Sequence, residues 1–246
     1  MTTLFISDLH LQSERPQITR AFFSLLDQYA SKADALYILG DFFNVWLGDD
    51  DSSPLSLEVA EKLKKLSDTG TAVYIMHGNR DFLIGQRFCH QAGATLLNDP
   101  SCIDLYGTQA LLMHGDSLCL DDKSYQRFRR IIRSPLIRLL QHILPLSLRR
   151  RLASNIKNQS GKAKSYKSAQ IMDVTPDEVQ RQLKAHNLDL LIHGHTHRPA
   201  IHQLQHHTRN QQRIVLGDWE ESGWYLRWES DGQHELISFP IVPTPH

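Results

Sequence analysis

Five short apolar runs in this chain each end on a residue that can bind a metal ion, and that repetition limits the fold more than any other feature. Leu36-Tyr37-Ile38-Leu39 runs through Gly40 into Asp41, Leu4-Phe5-Ile6 into Asp8 and His10, and Val73-Tyr74-Ile75-Met76 into Asn79. Leu111-Leu112-Met113 leads into His114, and Leu190-Leu191-Ile192 into His195 and His197. Short apolar runs bounded by turn residues read as buried strands. In open sheets the functional crevice lies beyond the carboxyl ends of the strands. Five strands aiming oxygen and nitrogen ligands at one edge exceed what packing requires, and a carboxylate on a central strand suits a bridge between two ions. We read Asp41 as that bridge.

The segments between the runs complete an α/β pattern. Pro16 to Tyr29 carries Ile18, Phe22, Phe23, Leu25 and Leu26 at helical spacing, and Leu55 to Leu66 restores that period with Gly70 as its stop. Strand, helix, strand at this spacing implies parallel crossovers. Gln86 to Gln91 reads as a short helix, Ala94 to Leu97 and Gln109 to Met113 as strands, and Thr175-Pro176-Asp177-Glu178 as a helix start by its capping pattern. The tail from Ala200 to Phe239 alternates in short runs broken by Asn210, Gly217, Gly223 and Asp231-Gly232, which predicts an antiparallel second sheet.

The alternation breaks between Asp121 and Ser168. Helical runs at Tyr125 to Ile132 and Leu136 to Ile143, with Pro135 and Pro145 as breaks, are followed by the loop-like Asn158-Gln159-Ser160-Gly161. We read residues 121–168 as a helical cap inserted into a core made of 1–120 and 169–246. Net charge is zero, yet Asp121 to Gln170 holds thirteen Lys or Arg against two acids, so this segment carries +11 and the remainder −11. A ligand carrying both phosphate and apolar chains would find cations here in Lys157, Lys162, Lys164 and Lys167 and an apolar lining in Phe128, Ile131, Ile132, Ile137, Leu140 and Leu144. Arg149-Arg150-Arg151 suits anionic lipid headgroups.

Length and composition narrow the classes further. A chain of 246 residues accommodates one large core with an insertion. Three cysteines, Cys89, Cys102 and Cys119, without CxxC spacing argue against a disulfide framework and a thiolate zinc site. They read as core filler in a reducing compartment. No basic n-region precedes Asp8, so the start reads as a strand and a cytoplasmic protein is expected. No run approaches the roughly 20 apolar residues of a spanning helix, which leaves a membrane role peripheral.

The candidate ligands are Asp8, His10, Asp41, Asn79, His114, His195 and His197. Seven ligands with one bridging carboxylate suit two ions, and a donor set without thiolate favours Mn, Fe or Zn over Ca or Mg. Two ions about 3.5–4 Å apart activate water and hold a phosphoryl group for in-line displacement, so phosphoester or phosphoanhydride hydrolysis follows.

These blocks, Asp8-x-His10, Gly40-Asp41, Gly78-Asn79-Arg80-Asp81, His114-Gly115-Asp116 and Gly194-His195-x-His197, resemble in order the calcineurin-like metallophosphoesterases. The resemblance implies a four-layer αββα double-sheet sandwich, with Asp8, His10, Asp41 and His197 on one metal and Asp41, Asn79, His114 and His195 on the other. Many members have Gly-Asn-His-Glu where this chain has Gly78-Asn79-Arg80-Asp81. An always-charged guanidinium does not protonate a leaving group; it clamps phosphate. That variant, the Phe42-to-Asp50 stretch and the basic insertion together resemble the branch of the family that hydrolyses UDP-2,3-diacylglucosamine in the lipid A pathway of Gram-negative bacteria. The resemblance implies two Mn ions, attack of water on the α-phosphorus, release of UMP and 2,3-diacylglucosamine 1-phosphate, and action at the cytoplasmic face of the inner membrane. By the same resemblance Asp41, Asn79 and Arg80 carry catalysis, and Asn79, Arg80, Asp122, Ser160, Lys164, Lys167 and His195 contact the nucleotide-sugar lipid. Asp122 would accept hydrogen bonds from sugar hydroxyl or amide groups.

Other readings start from the same residues. A phosphoprotein phosphatase or nuclease would use the same metals, but Arg80 in place of a histidine argues against the former. The lack of an aromatic-interleaved basic groove argues against nucleic acid as a partner. A non-enzymatic scaffold would have lost ligands, and all seven are present. His77 and His193 read as hydrogen-bonded structural residues, Asp49-Asp50-Asp51 as a surface turn, and Asp81 and Asp116 as groups that orient neighbouring turns and histidines. Trp46 is either core or a substrate contact. The bland reading of the cap is a solvated basic helix pair.

Overall fold

The computed structural model describes residues 1–134, 137, 144–152, 173–206 and 209–242. Leu140, Lys157, Ser160, Lys162, Lys164 and Lys167, all given roles above, lie outside them.

The core consists of two sheets packed face to face. The first runs in the order β11 (His234–Pro240), β10 (Ser222–Glu229), β1 (Thr2–Ile6), β2 (Ala35–Leu39), β3 (Ala72–Met76), β4 (Ala94–Leu97). The second runs β5 (Ser101–Leu105), β6 (Thr108–Met113), β7 (Leu190–His193), β9 (Arg209–Val215), β8 (Ala200–His206). Strands β1 to β4 are parallel, with the antiparallel hairpin β10–β11 beside β1, and β6, β7 and β9 are parallel, with antiparallel edge strands β5 and β8 on either side. Each apolar run is buried on both faces, which is why it reads as continuous and not alternating. In β2, Leu36 and Ile38 face the cluster under the helices α1 (Pro16–Gln28) and α2 (Pro54–Asp68), while Tyr37 and Leu39 face the layer between the sheets. In β6, Leu112 joins that central layer and Leu111 and Met113 pack against α5 (Pro176–His186). The layers are therefore α, β, β, α. Phe5, Tyr37 and Tyr74 stack in a row between the sheets with ring centroids 5.0 and 4.6 Å apart.

Local signals explain most element boundaries. Pro54 opens α2, and Ser53 and Ser56 exchange backbone-to-hydroxyl hydrogen bonds of 3.1 and 2.8 Å in a capping box. Asp49 receives the Gly85 and Phe88 amides at 2.8 and 3.0 Å and so opens α3 (Gln86–Gln91). Thr175 departs from its expected role, because its hydroxyl accepts from Leu120 N at 3.0 Å and makes no cap bond to α5.

The C-terminal tail does not form a sheet of its own. Its first hairpin, β8–β9, extends the second sheet beside β7, and its second, β10–β11, extends the first sheet beside β1. Both hairpins alternate in polarity, and alternation states that one face is buried without stating against what. Strand β5 was not read from the sequence. Cys89 and Cys119 are buried as expected, whereas Cys102, on β5, is exposed.

Two helical pieces of the segment 121–168 are described: α4 (Lys123–Ile132) and 146–152. The second leans on the acidic turn after Trp46. Arg149 pairs with Asp50 and the Leu47 carbonyl, and Arg150 with Asp51. Arg149 and Arg150 are thus engaged by the core rather than free for lipid headgroups. Phe128 and Ile131, expected to line a chamber, are 38% and 55% exposed. Among the described residues no helix is long and apolar enough to cross a membrane.

Candidate metal centre

The five ligand-bearing ends converge at one edge of the two sheets. Asp8, His10, Asp41, His195 and His197 all adopt left-handed backbone, with φ between 50° and 70°, and only Tyr106 and Asn187 share that conformation among described non-glycine residues. Such positions cost about 1–3 kcal/mol each and persist where the surroundings enforce them. The enforcement is visible in the backbone: Asp8 N bonds Gly40 O at 3.0 Å, His10 N bonds Asp41 O at 2.9 Å, and Gly194 N bonds His114 O at 2.9 Å.

Glycine is required where these turns touch. A Cβ on Gly78 would lie 2.1 Å from both the amide nitrogen and Oδ1 of Asp41, and one on Gly194 would lie 2.4 Å from Asp8 Oδ2. The close approach brings the predicted ligands together. Asp8, His10 and His197 each offer one ligand atom within 4.8 Å of the others, and Asp8, Asp41 and His114 do the same. Asp41 Oδ2 is 3.9 Å from His10 Nδ1, and Asp41 Oδ1 is 3.7 Å from His114 Nε2. Asn79 Oδ1 lies 3.1 Å from His114 Nε2, and the His114 and His195 rings are 5.1 Å apart. All seven candidates meet in one cluster. Asp8 belongs to both of the three-residue groups, and Asp41 lies between His10 and His114.

The donor set fits divalent cations. Asp8 Oδ1 and His10 Nδ1 are buried without a hydrogen-bond partner, which is costly for groups that nothing coordinates. Burial pushes the Asp41 carboxyl up to about 7, with Asp81 and Asp8 adding to the effect against the pull of His114. Burial takes His10 down to about 3 and, together with His114, takes His195 to about 4. A carboxylate crowded by others and neutral imidazoles at His10 and His195 suit a bound cation, while the carboxylates around His114 and His197 raise those two rings. Burial opposes the charge on Asp8 too, but His197, His114 and His10 outweigh it and hold the carboxyl well below its usual range.

A second ring of groups fixes the ligands. His114 Nδ1 meets Leu39 O at 2.9 Å, which leaves Nε2 facing the cluster. Ser7 Oγ and His195 N donate to Asp8 Oδ2 at 2.6 and 2.8 Å. Fully buried Asp81 accepts from Phe42 N, Phe43 N and Gly78 N at 2.7, 3.2 and 2.8 Å and so ties the Asp41 turn to the Asn79 turn. Arg80 donates its backbone N–H to Asp41 Oδ1 at 2.8 Å, sets its guanidinium Nε 3.8 Å from Oδ2, and is braced by Asn44 Oδ1 at 3.2 Å. Asp122 caps α4, accepting from Tyr125 N at 3.0 Å and Ser124 Oγ at 2.7 Å, a structural task the sequence did not announce. His77 and His193 hydrogen-bond backbone carbonyls, of Ile84 at 2.6 Å and Gly194 at 2.8 Å. Trp46 is core: it is 7% exposed and packs on Phe43 and Phe88 at 4.7 Å from each.

One carboxylate in this ring escaped the sequence reading. Asp218 Oδ2 lies 3.5 Å from His197 Nδ1, and against the effect of burial Asp218 and Asp8 together raise His197 to about 10. The signal was present, since Ile214-Val215-Leu216-Gly217-Asp218 repeats the order of Leu36 to Asp41.

Comparison with known proteins agrees with this geometry. The family model described as calcineurin-like phosphoesterase matches residues 1–199. The chain is 53% identical over 98% of its length to a protein of Pseudomonas fluorescens named UDP-2,3-diacylglucosamine hydrolase, 96% of which is covered. Proteins of the same name from Azotobacter vinelandii and Marinobacter nauticus are 54% and 55% identical over 98% of this chain, with 100% and 99% of those proteins covered.

Proposed function

The chain belongs to the calcineurin-like phosphoesterases, a family of metal-dependent hydrolases, and on that footing we propose that it cleaves the pyrophosphate of UDP-2,3-diacylglucosamine to UMP and 2,3-diacylglucosamine 1-phosphate in lipid A biosynthesis. The likeness to proteins named for that hydrolase carries the reading, because coverage of 98% takes in residues 121–168 as well as the core.

We assign Asp8, His10, Asp41 and His197 to one divalent ion and Asp41, Asn79, His114 and His195 to a second, with Mn2+ as the expected metal. The unpartnered Asp8 Oδ1 and His10 Nδ1 and the neutral rings of His10 and His195 support the assignment. When bound, such a pair supplies Lewis acidity to water and to phosphoryl oxygens. Ser7 and the His195 amide hold Asp8 in place, and Asp218 orients His197. Arg80, braced by Asn44, binds the phosphate as a permanent cation and does not supply a proton. Lys164 and Lys167 steady the sugar phosphate that departs, Asp122 accepts from sugar hydroxyl or amide groups, and Asn79, Ser160 and His195 make the remaining substrate contacts.

Residues 121–168 act as a cap over the acyl chains and meet an anionic membrane surface at the cytoplasmic face of the inner membrane. Exposed Phe128 and Ile131 on α4 and Leu148 and Leu152 on 146–152 support the membrane contact. With acyl chains held by the cap, the lipid-bearing phosphate is the leaving group and water attacks the phosphorus next to uridine. Hydrolysis in oxygen-18 water places the label in UMP. Label in the sugar 1-phosphate would reverse the orientation of the substrate and remove Lys164 and Lys167 from the leaving side.

A further inference from the structure

Helix α4 packs with its polar stripe inward. Tyr125, Gln126, Arg129 and Arg133 face the core, while Phe128 and Ile131 point to the exterior. The polar stripe converges on Asp116, which is fully buried: Tyr125 Oη and Arg129 Nε donate to its Oδ2 at 2.7 Å each, and Arg133 Nη2 donates to the same oxygen at 3.1 Å. Gln126 Nε2 adds bonds to the carbonyls of Asp116 and Cys119 at 2.8 and 3.0 Å. Asp99, also nearly buried, lies 3.8 and 3.9 Å from the two guanidinium groups.

The contacts of this helix select among the ligand turns. Asp116 stands two residues beyond His114. Arg133 Nη2 also donates to Gly78 O at 3.0 Å, and Gly78 immediately precedes Asn79. The Tyr125 ring lies against the His195 ring with centroids 6.0 Å apart and planes 29° from parallel. One helix thus touches the turns of Asn79, His114 and His195, the three residues assigned only to the second ion. Among the described residues its hydrogen bonds, ion pairs and ring contacts reach none of Asp8, His10 and His197, whose supports are Ser7 and Asp218.

We propose that Tyr125, Arg129 and Arg133 are positioning residues that couple the seating of α4 to the second metal site, so that this site holds its ion tightly only with the helix docked. The proposal rests on the ligand assignment above. Groups that orient ligands from outside change metal affinity by about 10–100-fold when removed. The coupling is reciprocal, so filling that site must in turn hold the helix down. The cap and the metal centre then assemble together, and a loosened cap leaves a half-filled site.

Calorimetric titration of the full chain with Mn2+, in wild type and in Arg133→Met, Arg133→Lys and Tyr125→Phe, tests the coupling without substrate. Two binding events are expected in wild type. In Arg133→Met one should weaken about 10–100-fold while the other stays within about threefold, with Arg133→Lys recovering part of the loss. Hydrogen exchange of the α4 amides should slow in wild type as the weaker event saturates. Tyr125→Phe, which removes one hydroxyl, gives a smaller loss of the same selectivity and serves if Arg133→Met does not fold. Equal weakening of both events, or unchanged affinities with exchange indifferent to Mn2+, would overturn the coupling. A wild-type chain that takes up no Mn2+ would instead overturn the ligand assignment.

Discussion

Asp81 offers the most direct test of how the centre is held together. Its two oxygens accept three backbone N–H groups, from Phe42, Phe43 and Gly78, in a site closed to solvent. Asp81→Ala leaves three buried donors unpaired at about 1–3 kcal/mol each. Removing a buried carboxylate refunds part of that, since burial already pushes its pKa up. A net loss of about 3–5 kcal/mol follows, a large share of the roughly 5–15 kcal/mol that holds a protein folded. Asp81→Asn keeps one oxygen for Phe42 and Phe43 but turns an NH2 toward the Gly78 N–H, so only one donor is lost and the cost falls to about 1–3 kcal/mol. Urea unfolding of the two variants, compared at constant m value, measures both losses. Alanine must be worse than asparagine by the extra unpaired donors. Equal losses, or an alanine loss below about 1 kcal/mol, would mean that the Asp41 and Asn79 turns hold their positions without the clasp.

Two further outcomes follow. Arg80→Ala should lower kcat about 10²-fold or more while metal content, measured by elemental analysis, stays near wild type, as for other fixed donors that act on developing charge; an unchanged kcat would leave Arg80 without a role in the reaction. Anionic vesicles should float the chain in low salt and release it as salt screens the basic cap, and Ile131→Glu, on the exposed side of α4, should reduce flotation; undiminished flotation of that variant would move the membrane surface away from α4.

The centre was legible in the sequence because each ligand is local to a strand end. Two-sided burial makes strands such as Leu36 to Leu39 contiguous in apolar residues, and the ligand must then follow within a few positions. The order of the blocks along the chain needs no knowledge of strand pairing. Pairing is what sequence alone did not supply. β8–β9 and β10–β11 alternate in the same way, and their division between two sheets depends on which edges β7 and β1 leave open. Asp218 was missed for that reason: its Ile214-to-Asp218 run was read as part of a separate antiparallel sheet, whereas β9 is parallel to β7 and delivers Asp218 to the same edge as His197.

Helix α4 shows a different kind of illegibility. Helical period in Tyr125 to Ile132 identifies two stripes, and ordinary amphipathic logic turns the apolar one inward. The polar one turns inward here because buried Asp116 needs cations. Burial alone would raise its carboxyl, yet Arg133, His114 and Arg129 hold it well below the usual range. The same accounting changes the meaning of the +11 segment. Of its thirteen cationic residues, Arg129 and Arg133 go to Asp116, and Arg149 and Arg150 to Asp50 and Asp51, so at least four serve docking and not substrate. The two pairs of contacts are unequal. The Arg150–Asp51 contact is open to solvent and screened by it, whereas breaking one side of the Asp116 cluster would strand a buried charge at a cost of about 3–5 kcal/mol. The charge of this segment therefore serves first to seat α4 against the turns of His114 and Asn79.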